Sequence, residues 1–214
     1  MKLKSLLKEG ANFPELTLPM LNCRTGGVYP KYTPKNQNSV WIIQPGPGYI
    51  ADPDWMQTCG AAGCTPGAKV FENTRDEFVG TGVQVYFVSS KSTEEQQMAT
   101  AFKGLSFKFL SDVNLTLKEV LGLPTFNYKG KEYYYRQAFI VKNGVIDRIF
   151  TTNTEMKDQD SVTESKRHSE EVLKYAKQCF LSDSAAVNNP IEPIQKKSCS
   201  SSDDEPYSGF KKVL

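Results

Sequence analysis

Gly63-Cys64-Thr65-Pro66 lies between an apolar run and the start of a predicted helix, and this position indicates the fold. Upstream, residues 40–43 (VWII) have the continuous apolar character of a strand buried inside a sheet. Downstream, Thr65 is a good N-cap and Pro66 suits the first position of a helix. These residues therefore predict a strand, a loop and a helix in that order, with a cysteine where the helix begins.

The position of Cys64 suits it to act as a nucleophile. Unpaired backbone N–H groups and the positive end of the helix dipole lie at a helix N-terminus, and both favour a thiolate over a thiol. The alternative is a small buried apolar residue, which is the commoner role for a lone cysteine. The helix-start context favours the nucleophile.

The composition is that of an ordinary globular domain. The chain has 214 residues, of which 39% are hydrophobic and 23% are charged. A net charge of +2 is too small to indicate a nucleic-acid or membrane partner. No apolar run approaches the roughly 18 residues that a membrane span needs. The N-terminal stretch lacks the continuous apolar segment of a secretory signal, so we expect a cytoplasmic protein.

The cysteines are odd in number and widely spaced, which favours free or catalytic thiols over a disulfide framework. They are Cys23, Cys59, Cys64, Cys179 and Cys199. Because the chain has no CxxC pair and a single histidine, we expect neither a metal nor a cofactor. We expect that histidine, His168, to lie on a solvated helix face, since its neighbours are polar.

The pattern along the rest of the chain predicts strands that alternate with helices. The predicted strands span residues 13–22, 39–44, 83–88, 107–110, 133–142 and 145–151. One predicted helix follows Cys64 to about Val79, with Ala68, Phe71 and Phe78 on its buried face. Further predicted helices span residues 92–102, 115–121 and 161–180, and residues 24–38 and 45–63 are predicted loops.

Local signals set several of these boundaries. Capping boxes at Ser92–Glu95 and Ser161–Glu164 predict helix starts, because each pairs a serine with a glutamate three residues later. Asn143-Gly144 between two apolar runs predicts a hairpin turn. Residues 183–214, which are rich in proline, serine and acidic residues, predict a disordered tail. The predicted domain therefore spans residues 1–182.

The order of the predicted elements indicates an α/β fold. Crossover helices early in the chain and an antiparallel hairpin late in the chain predict a mixed central sheet with helices on both faces. A central strand followed by a helix that begins at a cysteine is typical of the thioredoxin-like fold. No metal-binding or nucleotide-binding motif competes with this interpretation.

Several segments resemble the peroxiredoxins, most of all the AhpC/TSA-type, PrxQ-like branch. Residues 63–66, followed by Phe71, resemble the family's GCT…F active-site stretch. Further similar segments occur in the family's order, and they are residues 11–16 (ANFPEL), 85–90 (VYFVSS), 107–112 (FKFLSD), 122–126 (GLPTF) and 136–144 (RQAFIVKNG). The resemblance covers roughly residues 10–150. It implies a thioredoxin fold and the reduction of peroxides.

The resemblance also implies roles for individual residues. Cys64 matches the peroxidatic cysteine, and Arg136 matches the arginine that faces it. A guanidinium stabilises a thiolate and can donate hydrogen bonds to peroxide oxygens. The chain departs from the family at Ala61, where a threonine or serine is usual, and at Lys69, where PrxQ-like proteins have a resolving cysteine. Thr65 is the candidate for a replacement hydroxyl.

The implied cycle needs a second thiol. Cys64 would become a sulfenic acid, and a resolving thiol would convert it to a disulfide that an external reductant then reduces. Cys59 is the favoured resolving cysteine, because it lies nearby on a glycine-containing loop. Cys199, Cys179, Cys23 and a one-cysteine cycle with a small thiol stay open.

The expected partners follow from this cycle. They are hydrogen peroxide or an organic hydroperoxide, a thioredoxin, glutaredoxin or small-thiol reductant, and a second copy in a homodimer. Three rival hypotheses remain. The first is a thioredoxin-fold binding protein that has lost peroxidase activity, which the departure at Ala61 favours. The second is a redox sensor that exchanges disulfides through Cys59 and Cys64, and the third is an interaction module that uses the C-terminal tail.

Overall fold

A computed structural model describes residues 7–34, 38–46, 53–78, 81–101 and 104–181. The strands in these ranges are β1 Leu18–Asn22, β2 Gly27–Tyr32, β3 Asn38–Ile43, β4 Gln84–Ser89, β5 Lys108–Ser111, β6 Thr125–Tyr128, β7 Lys131–Tyr134, β8 Gln137–Lys142 and β9 Val145–Thr151. The helices are α1 Pro53–Met56, α2 Cys64–Glu72, α3 Arg75–Phe78, α4 Thr93–Ala101, α5 Thr116–Leu121 and α6 Asp158–Phe180. The predicted tail, including Cys199, lies outside the described residues.

The strands form a mixed seven-stranded sheet in the order β2-β1-β5-β4-β3-β8-β9. The central strands β3, β4 and β5 are parallel, and the outer pairs are antiparallel. Because parallel neighbours need a crossover, α2 and α3 connect β3 to β4, and α4 connects β4 to β5. The carboxyl ends of β3, β4 and β5 therefore meet at one edge of the sheet. The predicted mixed sheet is confirmed.

Helices cover both faces of this sheet, as expected. On one face, Ala68 and Phe71 of α2 pack with Val172 and Ala176 of α6 over β3 and β4. The opposite face is covered by α5 and by the segment that contains Phe13 and Leu16. Buried apolar side chains line both faces, because successive strand residues point to opposite sides. Among the described helices, none is long and apolar enough to cross a membrane.

Several strand predictions were wrong. The predicted loop 24–38 contains β2, a mostly exposed edge strand that pairs with β1 and includes Pro30, a residue that argues against a strand. The predicted strand 133–142 is divided into β7 and β8. β7 pairs with β6 in a separate two-stranded sheet, whereas β8 pairs with β3 and β9 in the main sheet, so the strand is interrupted at residues 135–136. The Asn143-Gly144 turn is confirmed, with φ of 53° and 79°.

Two helix starts also differ from prediction, although the Ser92–Glu95 capping box is confirmed by hydrogen bonds in both directions. Thr65 is not the N-cap of α2, because Gly63 turns the chain one residue before Cys64 with a φ of 101° that favours glycine. Similarly, Ser161 does not open the last helix, which already begins at Asp158.

The helix after Cys64 is shorter than predicted. It ends at Glu72, where the backbone N–H and the hydroxyl of Thr74 both donate to the Phe71 carbonyl and replace the helical pattern. The chain continues as the separate short helix α3, and Val79 lies outside the described residues. The predicted loop 45–63 also contains the short helix α1.

Candidate active site

The structure brings Cys64 and Arg136 together. One guanidinium nitrogen of Arg136, Nη2, lies 3.5 Å from Cys64 Sγ and donates to it. The same nitrogen donates to the carbonyl oxygen of Ala62 at 2.8 Å. Both side chains are buried, with 5% of Cys64 and 4% of Arg136 exposed. A buried guanidinium needs hydrogen-bond acceptors, and Cys64 Sγ and the Ala62 carbonyl supply two of them.

The fold explains how these two residues meet. Gln137, the first residue of β8, pairs with Ile43 at the carboxyl end of β3. Arg136 therefore lies at the sheet edge where the parallel strands end, and α2 also begins there. The Arg136 carbonyl accepts a hydrogen bond from Thr152 Oγ1 at 2.9 Å, which holds the backbone at this position.

The backbone before Cys64 is held by serines of α6. Ser161 Oγ donates to the Ala62 carbonyl at 3.0 Å, and Ser165 Oγ donates to the Gly63 carbonyl at 2.7 Å. The Ala62 carbonyl therefore accepts from both Ser161 and Arg136, which its two lone pairs allow. These contacts fix the turn that places Cys64 at the helix start.

Glycines allow α2 and α6 to approach this closely. A Cβ atom at Gly63 would lie 2.6 Å from the Cβ of Ser165, and one at Gly67 would lie 2.6 Å from Ser165 Oγ. The serines were missed by sequence reasoning. The available signal was their spacing, since Ser161, Ser165 and Ser169 recur every four residues and share one helix face.

His168 lies on this same interface, so its expected exposure was wrong. None of its surface is exposed, and its Nε2 lies 3.4 Å from the carbonyl oxygen of Phe150. Its Nδ1 has no hydrogen-bond partner among the described residues. Burial, with a smaller contribution from the nearby Arg136 charge, lowers the pKa of His168 to about 4. The imidazole is therefore neutral at pH 7.

The other predicted site residues, Cys59 and Thr65, lie close to Cys64 in sequence. Cys59 is a half-buried free thiol in the turn between α1 and α2. The adjacent Gly60 N–H donates to the Met156 carbonyl at 2.8 Å. Thr65 is half-buried in the first turn of α2, and its hydroxyl makes no hydrogen bond within the described part of the chain. A replacement hydroxyl role for Thr65 stays a prediction.

Ala61 belongs to an aromatic cluster rather than to a polar site. It is fully buried against Trp55, Phe126 and Tyr133. Trp55 packs edge-on against Tyr133, with ring centroids 5.1 Å apart. The residue that stands where the family usually has a hydroxyl therefore contributes to apolar packing on the side of the loop away from α6.

Cys23 and Cys179 are free thiols whose surroundings disfavour the thiolate. Burial raises the pKa of Cys23 to about 11, and burial also raises the pKa of Cys179. Cys179 follows Ser161 by eighteen residues in the same helix, which corresponds to about 27 Å at 1.5 Å per residue. Cys179 is therefore far from Cys64, whose loop contacts Ser161.

No group of three or more His, Cys, Asp or Glu side chains suited to a metal ion occurs within the described ranges. The chemistry that the site offers is instead that of one thiol beside one guanidinium. Such a pair supports nucleophilic attack by sulfur.

Comparisons with known proteins agree with this geometry. Residues 56–149, which include both Cys64 and Arg136, match the model of the AhpC/TSA family. A comparison with curated protein sequences finds no match.

Solved structures of similar fold cover most of the chain. Mycobacterium tuberculosis AhpC is 21% identical, with a TM-score of 0.58, over 81% of this chain and 98% of its own. The M. tuberculosis peroxidoxin BcpB is 17% identical, with a TM-score of 0.57, over 80% and 97%. A variant of PrxQ from Xylella fastidiosa is 17% identical, with a TM-score of 0.58, over 82% and 99%. At these identities, the similarity establishes the thioredoxin-like fold.

Residues 56–149 are therefore similar to the AhpC/TSA family, and the chain has the thioredoxin-like fold of these solved structures.

Proposed function

We propose that the protein reduces hydrogen peroxide or organic hydroperoxides, with Cys64 as the peroxidatic nucleophile. The observation that carries the proposal is the 3.5 Å contact between Arg136 Nη2 and Cys64 Sγ at the start of α2. A guanidinium and a helix N-terminus both stabilise a thiolate, and the thiolate is the reactive form of cysteine.

In the first step, the Cys64 thiolate attacks the terminal oxygen of the peroxide. The new S–O bond forms as the O–O bond breaks, so sulfur loses two electrons and the departing oxygen gains them. That oxygen leaves as an alkoxide or hydroxide and takes up a proton, which yields an alcohol or water. Arg136 can donate hydrogen bonds to the oxygens as their negative charge develops.

In the second step, a thiol condenses with the Cys64 sulfenic acid, which forms a disulfide and releases water. Cys59 is the resolving cysteine in this proposal, because the loop that carries it leads directly into α2. The distant position of Cys179 and the raised pKa of Cys23 favour Cys59 over both. A thioredoxin, a glutaredoxin or a small thiol then supplies two electrons to restore both cysteines.

Steady-state peroxide consumption with dithiothreitol as the reductant tests the first step. We expect Cys64→Ser to abolish consumption and Arg136→Met to lower the rate constant by about 100-fold, the usual cost of losing one donor at a developing negative charge. Cys179→Ser is the matched control and leaves the rate unchanged. An unchanged rate in Cys64→Ser would exclude the proposal and favour a binding role.

The same assay with thioredoxin as the reductant tests the second step. We expect Cys59→Ser to lose turnover with thioredoxin while it keeps turnover with excess dithiothreitol, since a small thiol can resolve the sulfenic acid directly. Full turnover of Cys59→Ser with thioredoxin would assign resolution to another thiol.

A further inference from the structure

Gln44 is a buried glutamine at the sheet edge where Cys64 and Arg136 meet. It directly follows β3, and its backbone N–H donates to the Val88 carbonyl at 3.0 Å, which continues the pairing of β3 with β4. Only 2% of its surface is exposed, yet its side-chain nitrogen Nε2 has no hydrogen-bond partner within the described ranges. A buried donor without an acceptor lowers stability, so its presence at this edge needs a reason.

The strand register places Gln44 beside Arg136. β3 and β8 run antiparallel, and Ile43 pairs with Gln137. The next two residues that face each other along this register are therefore Gln44 and Arg136. Side chains directly opposite each other in an antiparallel pair project from the same face of the sheet, with Cβ atoms about 5 Å apart. Gln44 thus neighbours the arginine whose guanidinium contacts Cys64 Sγ.

The first turn of α2 covers the same face of the sheet. Gln44 shares this face with Val40 and Ile42, because alternate residues of a strand point to one side. Both of these residues belong to the core cluster that contains Ala68 of α2. Cys64 precedes Ala68 by four residues, so the two side chains lie on one face of the helix. Because α2 begins at the edge where β3 ends, its first residue and the Gln44 amide lie in the same part of the site.

We propose that Gln44 is a further catalytic residue whose Nε2 donates a hydrogen bond to the peroxide while Cys64 attacks it, a role that rests on the peroxidase function proposed above. The peroxide oxygen then supplies the acceptor that the buried amide lacks. Arg136 Nη2 already donates to Cys64 and to the Ala62 carbonyl, and Ala61 supplies no hydroxyl. The Gln44 amide transfers no proton and acts by stabilising the negative charge that develops on the departing oxygen.

Gln137 provides a matched control at the same sheet edge. It is also buried, with 4% of its surface exposed, and its Nε2 likewise lacks a hydrogen-bond partner in the described part of the chain. Its side chain projects from the opposite face of the sheet, which it shares with Phe139 and Val141 in the other core cluster. Replacing Gln137 therefore removes a similar buried amide that does not face Cys64.

The test is the second-order rate constant for oxidation of Cys64 by hydrogen peroxide, followed as the loss of its alkylation by iodoacetamide, with Cys64→Ser to subtract the other thiols. We expect Gln44→Met to lower this constant by about tenfold, less than Arg136→Met does, since a neutral donor is roughly half as strong as a charged one. Gln137→Met should leave the constant unchanged. Without peroxide, Gln44→Met should be alkylated at the unchanged rate, because Arg136 and the helix N-terminus still stabilise the thiolate.

The urea midpoint of unfolding separates this role from a structural one. Methionine fills a similar volume without the unpaired donor, so Gln44→Met should keep or raise the midpoint. A lower midpoint, slower alkylation or an unchanged oxidation rate in Gln44→Met would overturn the proposal, and so would an equal loss of rate in Gln137→Met. Failure of the unchanged protein to react with peroxide would instead exclude the proposed function, and the role of Gln44 with it.

Discussion

The two sides of the loop before Cys64 are held in different ways. On the α6 side, small residues pack closely, and serine hydroxyls bond the carbonyls of Ala62 and Gly63. On the other side, Ala61 is buried against Trp55, Phe126 and Tyr133. The α6 side fixes the backbone through directional hydrogen bonds and close contact, whereas the aromatic side holds it through buried apolar area. The two sides of the same loop therefore depend on different kinds of contact, and each kind contributes to stability.

Gly63→Ala, which disrupts the close packing on the α6 side, should have the largest effect on stability. The new Cβ would lie 2.6 Å from the Cβ of Ser165, and the φ of 101° is unfavourable for alanine. Strain and overpacking together should lower the free energy of unfolding by about 4 kcal/mol in urea denaturation. Gly144→Ala is the matched control, because its φ is 79° and nothing lies within 4 Å of the added atom. Equal losses in both variants would contradict the steric account.

Disrupting the aromatic cluster around Ala61 should lower stability slightly less than Gly63→Ala does. Trp55→Ala removes a ring that is 6% exposed, which should lower the free energy of unfolding by about 3 kcal/mol. Trp55→Phe keeps most of the apolar contact and should lose less than half as much. The comparison would lose its basis if Trp55→Ala left stability unchanged but slowed peroxide consumption as much as Arg136→Met does.

The pH dependence of stability tests the packing on the α6 side, because His168 is buried there. The pKa of His168 is about 4 in the folded chain and near 6.5 when unfolded, chiefly because burial disfavours the charged ring. The unfolded chain therefore binds more protons between these values, so this contribution to stability is complete above pH 6.5 and is lost as the pH falls toward 4. The loss should reach about 3 kcal/mol.

The charges near His168 partly oppose one another, since Arg136 lowers its pKa while Glu164 and Glu171 raise it. His168→Asn is the informative comparison, because the chain has no other histidine. Its free energy of unfolding, measured by urea denaturation, should fall less between pH 6.5 and pH 4 than that of the unchanged protein. Parallel curves for the two proteins would show that His168 does not titrate as described.

The smallest expected effect comes from Ser161→Ala, which removes one hydrogen bond from the Ala62 carbonyl. We expect a loss of about 1 kcal/mol in the free energy of unfolding. Because the same carbonyl binds Arg136, peroxide consumption should also fall, by up to about tenfold. Thr163→Ala is the matched control in the same helix, since Thr163 is exposed and bonds only a carbonyl of its own helix. A larger effect in Thr163→Ala would contradict the role of Ser161.

The sequence predicted the parts of the site that depend on local signals. Cys64 was placed at a helix start because the apolar strand and the helix signals lie on either side of it. The pairing with Arg136 followed from a family resemblance that spans both residues. The contact between Gly63 and Ser165 could not be predicted in this way, because it joins segments that only the folded chain brings together.

The errors have the same physical origin. His168 stands among polar residues, yet it is buried because the serines on its helix face are small enough to pack against the glycines of α2. Ser161 matched a capping box, but its hydroxyl bonds another segment instead of its own helix. In both cases tertiary packing overrode the local pattern.

Sulfenic acid trapping would show directly whether Cys64 attacks peroxide. The reduced protein would be treated with one equivalent of hydrogen peroxide in the presence of dimedone, followed by peptide mass analysis, with Cys59→Ser to prevent resolution. We expect rapid labelling of Cys64 alone, which slows greatly when Arg136 is replaced by Met. Labelling of another cysteine, or no labelling within minutes, would exclude Cys64 as the peroxidatic nucleophile.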